Sequence, residues 1–164
     1  TGPFKDGLQR AGNSMPSGTQ PLPRASLDSQ QLVSQAESAF RQQDFYVAVD
    51  LLQDLAQLDE IHSTGQFALL KHQWRQQAAF WLEAGQYEKA ENLLEAMLNY
   101  YPFDTDFMPM QAKLYAQVGE VLSAVQVYAD LQPYAVNDAQ SRAWQQMARQ
   151  LINAQVTSFE QDSH

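Results

Sequence analysis

Few residues in this chain have the type and spacing that catalysis or metal binding requires. The three histidines, His62, His72 and His164, lie outside any pattern such as HExxH, and the chain has no cysteine. A cysteine nucleophile, a disulfide and a thiolate zinc site are therefore excluded. The sequence also lacks a glycine-rich phosphate loop and a GxSxG nucleophile turn. We expect no enzymatic activity, no cofactor and no metal site in this chain.

Neighbouring carboxylates such as Asp59 and Glu60 have the spacing of a solvated helix surface. Acid–base catalysis needs carboxyl groups in a cleft that shifts their pKa values, and the sequence gives no sign of one. The triplet 63–65, Ser-Thr-Gly, resembles the Asp-Thr-Gly triplet of aspartic proteases. A serine stands where that chemistry needs a carboxylate, so we interpret the triplet as a turn.

Composition excludes further classes of function. The chain has 164 residues, 45% of them hydrophobic, and a formal net charge of −9. A negative protein lacks the positive surface field that attracts nucleic acid or anionic lipid. Its apolar runs, such as residues 67–70, are far shorter than the roughly 20 residues that span a bilayer. We expect no nucleic-acid partner and no membrane insertion; the compartment stays open between cytoplasm and bacterial periplasm.

Glycine and proline are concentrated at the start of the chain, and the rest of the chain, its body, is predicted to be helical. Most of them fall within residues 1–25, which hold few apolar side chains and cannot bury a core. We predict a disordered leader or linker over residues 1–25, a folded domain over 26–156, and a disordered tail over 157–164.

The body repeats itself. Seven small or apolar positions recur at one constant spacing: Trp74, Ala78, Trp81, Gly85, Tyr87, Ala90 and Leu94 match Met108, Ala112, Tyr115, Gly119, Val121, Ala124 and Tyr128. A larger constant shift in the other direction finds Leu32, Ala36, Ala39, Phe45, Ala48 and Leu52. Each unit is predicted to be a helical hairpin, with small residues allowing close helix approach and glycine ending the first helix. Eight additional residues separate the first two units.

The run 82–94, followed by Pro102, resembles the tetratricopeptide (TPR) repeat family, whose period of about 34 residues matches the shorter spacing. This resemblance implies an all-α fold, an alpha-alpha superhelix of three hairpins over residues 29–62, 71–104 and 105–138. A capping helix over 139–155, centred on Trp144, would follow, with Asn137 or Asp138 as its N-cap. The first unit departs from the pattern because Gln43 stands at its turn in place of glycine. Pro133 is expected to shorten the last hairpin's second helix.

Glutamine occupies one position in all three units where the family usually has leucine: Gln35, Gln77 and Gln111. Two interpretations are open. These amides bond to one another or to a partner's backbone, or their methylenes pack while the amides reach solvent.

The resemblance also implies that the first helices of the hairpins line a concave surface, and most basic residues of the body lie there. We expect Arg75, Lys113, Arg142 and Arg149 to meet carboxylates of a partner segment, with Phe40 and Gln76 adding apolar and amide contacts. The alternative is that these are ordinary surface residues of an acidic protein. The family's two-carboxylate clamp for chaperone C-termini is absent from the corresponding positions, so chaperone binding is not expected.

Two functions follow from these expectations. The first is a non-catalytic scaffold that binds an acidic protein or peptide segment in its groove, as part of a larger bacterial assembly. The second is an accessory helical domain of a larger enzyme, such as a retropepsin-like aspartic protease. Self-association through an exposed face of the first hairpin, with Phe45, Tyr46 and Val49, is a third possibility.

Overall fold

Paired helices make up the chain from Ser29 to Asp162. The computed structural model describes residues 27–162, so the leader predicted over residues 1–25 lies outside the described residues. The helices are α1 (Ser29–Arg41), α2 (Phe45–His62), α3 (Gln66–Glu83), α4 (Tyr87–Tyr100), α5 (Met108–Gln117), α6 (Val121–Leu131) and α7 (Asp138–Asp162). A 3₁₀ turn, Gln132–Tyr134, joins α6 to α7, and residues 27–162 contain no strand. The prediction of an all-α helical-repeat fold is confirmed.

The three hairpin turns share one set of hydrogen bonds. In each, the first residue after the turn donates its backbone N–H to a carbonyl five positions earlier: Asp44 to Ala39 (2.9 Å), Gln86 to Trp81 (2.8 Å) and Glu120 to Tyr115 (2.8 Å). The residue before each donor has a positive φ, 62° at Gln43, 77° at Gly85 and 89° at Gly119. This is the Schellman arrangement that ends helices. The turns therefore recur at the same two spacings that relate the units in the sequence.

The eight additional residues between the first two units become helix. Both α2 and α3 have 18 residues, against 13 in α1 and 14 in α4. The turn between them is residues 63–65, as predicted, with Ser63 and Gly65 both in the left-handed region. The Asp59 carboxylate accepts a hydrogen bond from the Phe67 N–H at 2.7 Å and another from the Thr64 hydroxyl, which ties the turn to both helices.

The last helix is longer than its predicted bounds. Its start agrees with the prediction that Asn137 or Asp138 is the N-cap. The Asn137 side chain accepts a hydrogen bond from the Gln140 N–H at 2.8 Å, which is the bond that an N-cap residue makes. Pro133 lies in the 3₁₀ turn and α6 has only 11 residues, as expected. However, α7 continues to Asp162, so the predicted helix end at Gln155 and the disordered tail are wrong over residues 157–162. No glycine or proline follows Pro133 to stop the helix.

Small residues allow the helices to pack closely. All six alanines at the predicted contact positions are completely buried: Ala36, Ala48, Ala78, Ala90, Ala112 and Ala124. Two apolar clusters result, one joining the first two hairpins to α5 and the other joining α5, α6 and α7. Phe45 and Val49 belong to the first cluster at 3% and 0% exposure. The face suggested for self-association of the first hairpin is therefore wrong, because packing against α1 and α3 leaves only Tyr46 of its three residues exposed.

Candidate partner-binding groove

Helices α3, α5 and α7, together with one residue of α6 and one loop, enclose a groove of about 450 Å³. We call it the α3–α5–α7 groove. Its floor is apolar and buried, and comprises Leu82, Tyr128 and Trp144. Its walls and rim comprise Arg75, Gln76, Ala79, Thr105, Asp106, Pro109, Met110, Lys113, Gln140 and Met147. An apolar floor with polar groups around it is the usual composition of a binding site.

Equivalent positions of successive units form the groove. Gln76 on α3, Met110 on α5 and Trp144 on α7 are separated by one repeat each, and all three line it. A second row contains Ala79, Lys113 and Met147, at the same spacing. Since each unit repeats the orientation of the one before, positions that share a register point into the same space. Beside these positions Ala78 and Ala112 are completely buried, and their small side chains allow neighbouring helices to pack closely.

The groove has a positive charge that the described residues 27–162 do not neutralise. Arg75 and Lys113 are exposed, and in the described part of the chain neither forms an ion pair. Asp106 is the acidic residue of the lining, and its carboxylate lies 3.5 Å from the Lys71 ammonium. The carboxylate of the lining is thus already engaged by another lysine. The remaining field in the groove favours a negatively charged ligand group.

Lys71 fixes the loop that forms one wall. Its ammonium lies 2.6 Å from the Asp104 carboxylate and 5.9 Å from the ring centroids of Phe67 and Tyr101. The other oxygen of Asp104 accepts hydrogen bonds from the N–H groups of Asp106 and Phe107, both at 3.0 Å. The pair therefore connects α3 to the segment that leads into α5, and sets the position of residues 105–110 in the groove.

Tyr101 lies beside this ion pair. Its hydroxyl is buried and has no hydrogen-bond partner among the described residues. Burial raises the pKa of Tyr101 to about 12, and the negative charge of Asp104 and the neighbouring Tyr100 act in the same direction. The phenol therefore stays neutral at physiological pH and serves as an apolar wall for the Lys71 stem.

Of the predicted site residues, the structure brings together Arg75, Gln76 and Lys113. Phe40 is elsewhere: its ring stacks on Trp74 at 4.8 Å and on Trp81 at 5.7 Å, between the first hairpin and α3. The expectation that Phe40 lies in the groove with Arg75 and Gln76 is corrected, because its ring packs against these two tryptophans instead. Both tryptophans belong to the next unit. The position of Phe40 within α1 therefore could not predict this packing.

Arg142 and Arg149 do not line the groove. Arg142 is exposed and lies two positions before the buried Trp144, so its side chain leaves α7 from the opposite side. Arg149 borders a separate hollow of about 320 Å³ between α6 and α7, beside Val125 and Ala129. Its guanidinium donates to the Gln146 side-chain oxygen at 3.3 Å. Placing both arginines in the groove was wrong because they lie on another side of α7.

The sequence interpretation missed several lining residues, notably Pro109, Met110, Gln140 and Met147. A signal for them exists in the repeat. The first three lie one repeat after Arg75, Gln76 and Asp106, and Met147 lies one repeat after Lys113. Applying the repeat to Arg75, Gln76 and Lys113 would have found all of these except Gln140, whose counterpart Asp106 was not a predicted site residue.

The repeated glutamines Gln35, Gln77 and Gln111 are half-buried. Within residues 27–162 none of the three amides hydrogen bonds to another of them, so the amide-ladder interpretation has no support there. Gln111 borders a hollow of about 410 Å³ between α4 and α5, together with Glu91 and Glu95.

Over the described residues, no group of three or more histidine, aspartate or glutamate side chains is arranged to hold a metal ion. None of the helices between residues 27 and 162 has the length and apolar character needed to cross a membrane. Comparison with protein-family models, with curated proteins and with solved structures found no match for this chain.

Proposed function

We propose that this protein is a non-catalytic scaffold that binds a segment of another protein in the α3–α5–α7 groove. One observation carries the proposal: two exposed cations without ion pairs among the described residues, Arg75 and Lys113, stand at the rim of an apolar floor. Such a surface is suited to a segment with acidic side chains beside an apolar one. We also infer that the chain is a TPR-like repeat protein, on the evidence of its three equivalent turns and their spacing.

The groove's geometry suggests the spacing of the ligand's charges. Arg75 is on α3 and Lys113 on α5, and packed helix axes are roughly 8–10 Å apart. An extended segment in the polyproline II conformation has three residues per turn and rises about 3.1 Å per residue, so its side chains face the same way every third residue, about 9 Å apart. The favoured ligand therefore has two carboxylates three positions apart. Its apolar side chain would contact Met110 or Met147, whose flexible thioethers adapt to different shapes.

The contributions of these contacts can be ranked. An exposed ion pair contributes about 0.2–1 kcal/mol, so two pairs alone give weak binding. Burial of an apolar side chain on the floor adds roughly 1.5–3 kcal/mol. Together these contributions reach at most about 5 kcal/mol, so we expect affinity in the millimolar range, with apolar contact supplying most of the free energy and charge selecting the ligand.

Synthetic peptides test this proposal directly. The probe is an extended fluorescent peptide with two glutamates three positions apart followed by a leucine three positions later, measured by anisotropy. The double variant Arg75→Glu/Lys113→Glu should weaken its binding at least about tenfold, consistent with about 1.4 kcal/mol. A matched control, Arg41→Glu/Arg142→Glu, makes the same charge change outside the groove and should retain binding. Equal loss in both variants, or no loss in either, would show that the groove is not the binding site.

A further inference from the structure

A second apolar cavity lies on the other side of α7 from the groove. It has a volume of about 320 Å³, and its lining includes Val125 and Ala129 of α6 and Ala148 and Arg149 of α7. We call it the α6–α7 hollow. Tyr128 of α6 lines both this hollow and the α3–α5–α7 groove, so the two cavities adjoin at that residue.

The helical rotation of α7 places the openings of the two cavities on opposite sides of the helix. Met147 lines the groove, and Arg149 lines the α6–α7 hollow. Two positions on an α-helix correspond to a rotation of about 200°, so these side chains point away from each other. Gln146 and Gln150, on the solvent side of α7 between them, are exposed. A segment that leaves the groove beside Met147 can therefore pass over α7 and reach Arg149.

The α6–α7 hollow has the same chemistry as the groove. Val125, Ala129 and Ala148 give it apolar walls. Arg149 is exposed, and it forms no ion pair with any residue between 27 and 162. Its guanidinium donates a hydrogen bond of 3.3 Å to the neutral side chain of Gln146. Charge complementarity therefore favours a carboxylate beside an apolar side chain, as it does in the groove.

The repeat provides a comparison for this hollow. A hollow of about 410 Å³ lies at the same register one repeat earlier, between α4 and α5, and Glu91 and Glu95 border it. One repeat later, the corresponding residues are Val125 and Ala129. An acidic segment would meet like charge at the earlier hollow, whereas the α6–α7 hollow offers apolar walls and a cation. Of these two equivalent hollows, the one next to the groove is suited to the groove's ligand.

We propose that one partner segment occupies both cavities, passing from the α3–α5–α7 groove over the solvent side of α7 into the α6–α7 hollow. This inference rests on the proposed function, because the groove holds the first part of the segment. The second part carries a carboxylate that pairs with Arg149 and an apolar side chain that packs among Val125, Ala129 and Ala148. Arg149 thus contacts the same partner as the groove cations, at a different cavity.

The thickness of α7 sets the length of the connection. An α-helix with its side chains is about 10–12 Å in diameter, so half of its circumference is about 16–19 Å. At about 3.1 Å per residue, an extended chain needs about five to six residues to cover this path. Joining two weak contacts in one segment makes the second contact intramolecular, which raises affinity by roughly 10²–10⁴-fold when the connection fits. A segment that fills both cavities should therefore bind much more tightly than one that fills the groove alone.

Fluorescent peptides test the proposal by anisotropy. The bivalent peptide contains two glutamates three positions apart and a leucine three positions later, then about six glycine and serine residues, then a further glutamate and leucine. The truncated peptide has the same length, with serine in place of that last glutamate and leucine. Wild-type protein should bind the bivalent peptide at least about tenfold more tightly than the truncated one. A third peptide, whose linker is too short to cross α7, should lose this gain.

Two protein variants locate the second contact. Arg149→Glu should abolish the gain of the bivalent peptide, because it replaces the cation of the α6–α7 hollow by an anion. The control Arg41→Glu makes the same charge change at an exposed residue of α1 and should keep the gain. Both variants should bind the truncated peptide equally, since neither residue lines the groove.

The truncated peptide separates this proposal from the proposed function. Equal affinity of the wild-type protein for the bivalent and truncated peptides would refute the crossing of α7 while leaving binding in the groove intact. A gain that survives in Arg149→Glu would also refute it, because the second part of the peptide would then bind elsewhere. If the wild-type protein binds neither peptide, both proposals are wrong.

Discussion

The first hairpin turn contains a conformational cost that can be measured. Gln43 adopts φ 62°, a left-handed conformation that the equivalent turns assign to Gly85 and Gly119. A residue with a Cβ loses roughly 1–2 kcal/mol in that conformation, whereas glycine does not. Glycine costs about 0.5–1 kcal/mol more entropy on folding. The difference predicts that Gln43→Gly stabilises the protein by about 0.5–1 kcal/mol.

The same reasoning gives a reciprocal variant. Gly85 also has a positive φ, 77°, and a Cβ built there meets no atom within 4 Å. Gly85→Gln therefore introduces backbone strain without a steric clash, and should destabilise the protein by about 0.5–1 kcal/mol as well. The two substitutions isolate the effect of φ, because the Gln43 N–H bond to the Phe40 carbonyl, 2.9 Å, involves backbone only.

Urea denaturation followed by far-ultraviolet circular dichroism measures both variants. The unfolding midpoint should rise for Gln43→Gly and fall for Gly85→Gln, and the double variant should lie near the wild type because the sites are in different turns. Thermal midpoints should move by about 2–4 °C in the same directions. Destabilisation by Gln43→Gly, or an unchanged midpoint for Gly85→Gln, would refute the claim that the first unit accepts backbone strain at its turn.

Two further predictions concern the wall of the groove. Lys71→Met should destabilise the protein by about 2 kcal/mol, because it leaves the partly buried Asp104 carboxylate without its charge-assisted bond. The control Lys113→Met, at an exposed site, should change stability by less than about 0.5 kcal/mol. Urea titrations measure both variants. Tyr101→Phe removes a buried hydroxyl without a partner in the described residues and should raise stability by up to about 1 kcal/mol. Because folding raises the pKa of Tyr101 from 10.0 to about 12, the unfolded state releases its proton first, and wild-type stability should fall as pH rises through that window. The Phe variant should lose less stability between these pH values, and an equal loss would contradict the assignment.

The internal repeat made most of the fold predictable. Alanine positions, turn positions and helix starts recur at fixed spacings, so one well-defined unit located the others. The length of α7 could not be obtained in this way, because α7 is longer than the first helices of the three units. Its amphipathic pattern weakens after Gln155, but a helix ends where its backbone is interrupted, and the residues after Gln155 include no glycine or proline.

The site was predictable only in part, for a geometric reason. Arg75, Gln76 and Lys113 share groove-facing registers on first helices, and the sequence grouped them correctly. Arg142 was grouped with them by charge and helix type alone. It lies two positions before Trp144, which on an α-helix is a rotation of about 200°, so the two side chains point to opposite sides of α7. Phe40 required knowledge of packing between units. Its faces are covered by rings from α3, which no pattern within α1 encodes.

The portions of the groove formed by successive units also differ in chemistry. Along one register the side chains change from Glu37 in the first unit to Ala79, Lys113 and Met147 in α3, α5 and α7. The last three line the groove, so its α5 portion is cationic and its α7 portion apolar. A segment that crosses these helices should therefore place its acidic residues before α7 and its apolar residue at α7. Reversing the order of acidic and apolar residues in the peptide, at constant composition, would place leucine beside Lys113 and glutamate beside Met147, and binding should weaken. Equal affinity for both orders would mean that the groove recognises only net charge.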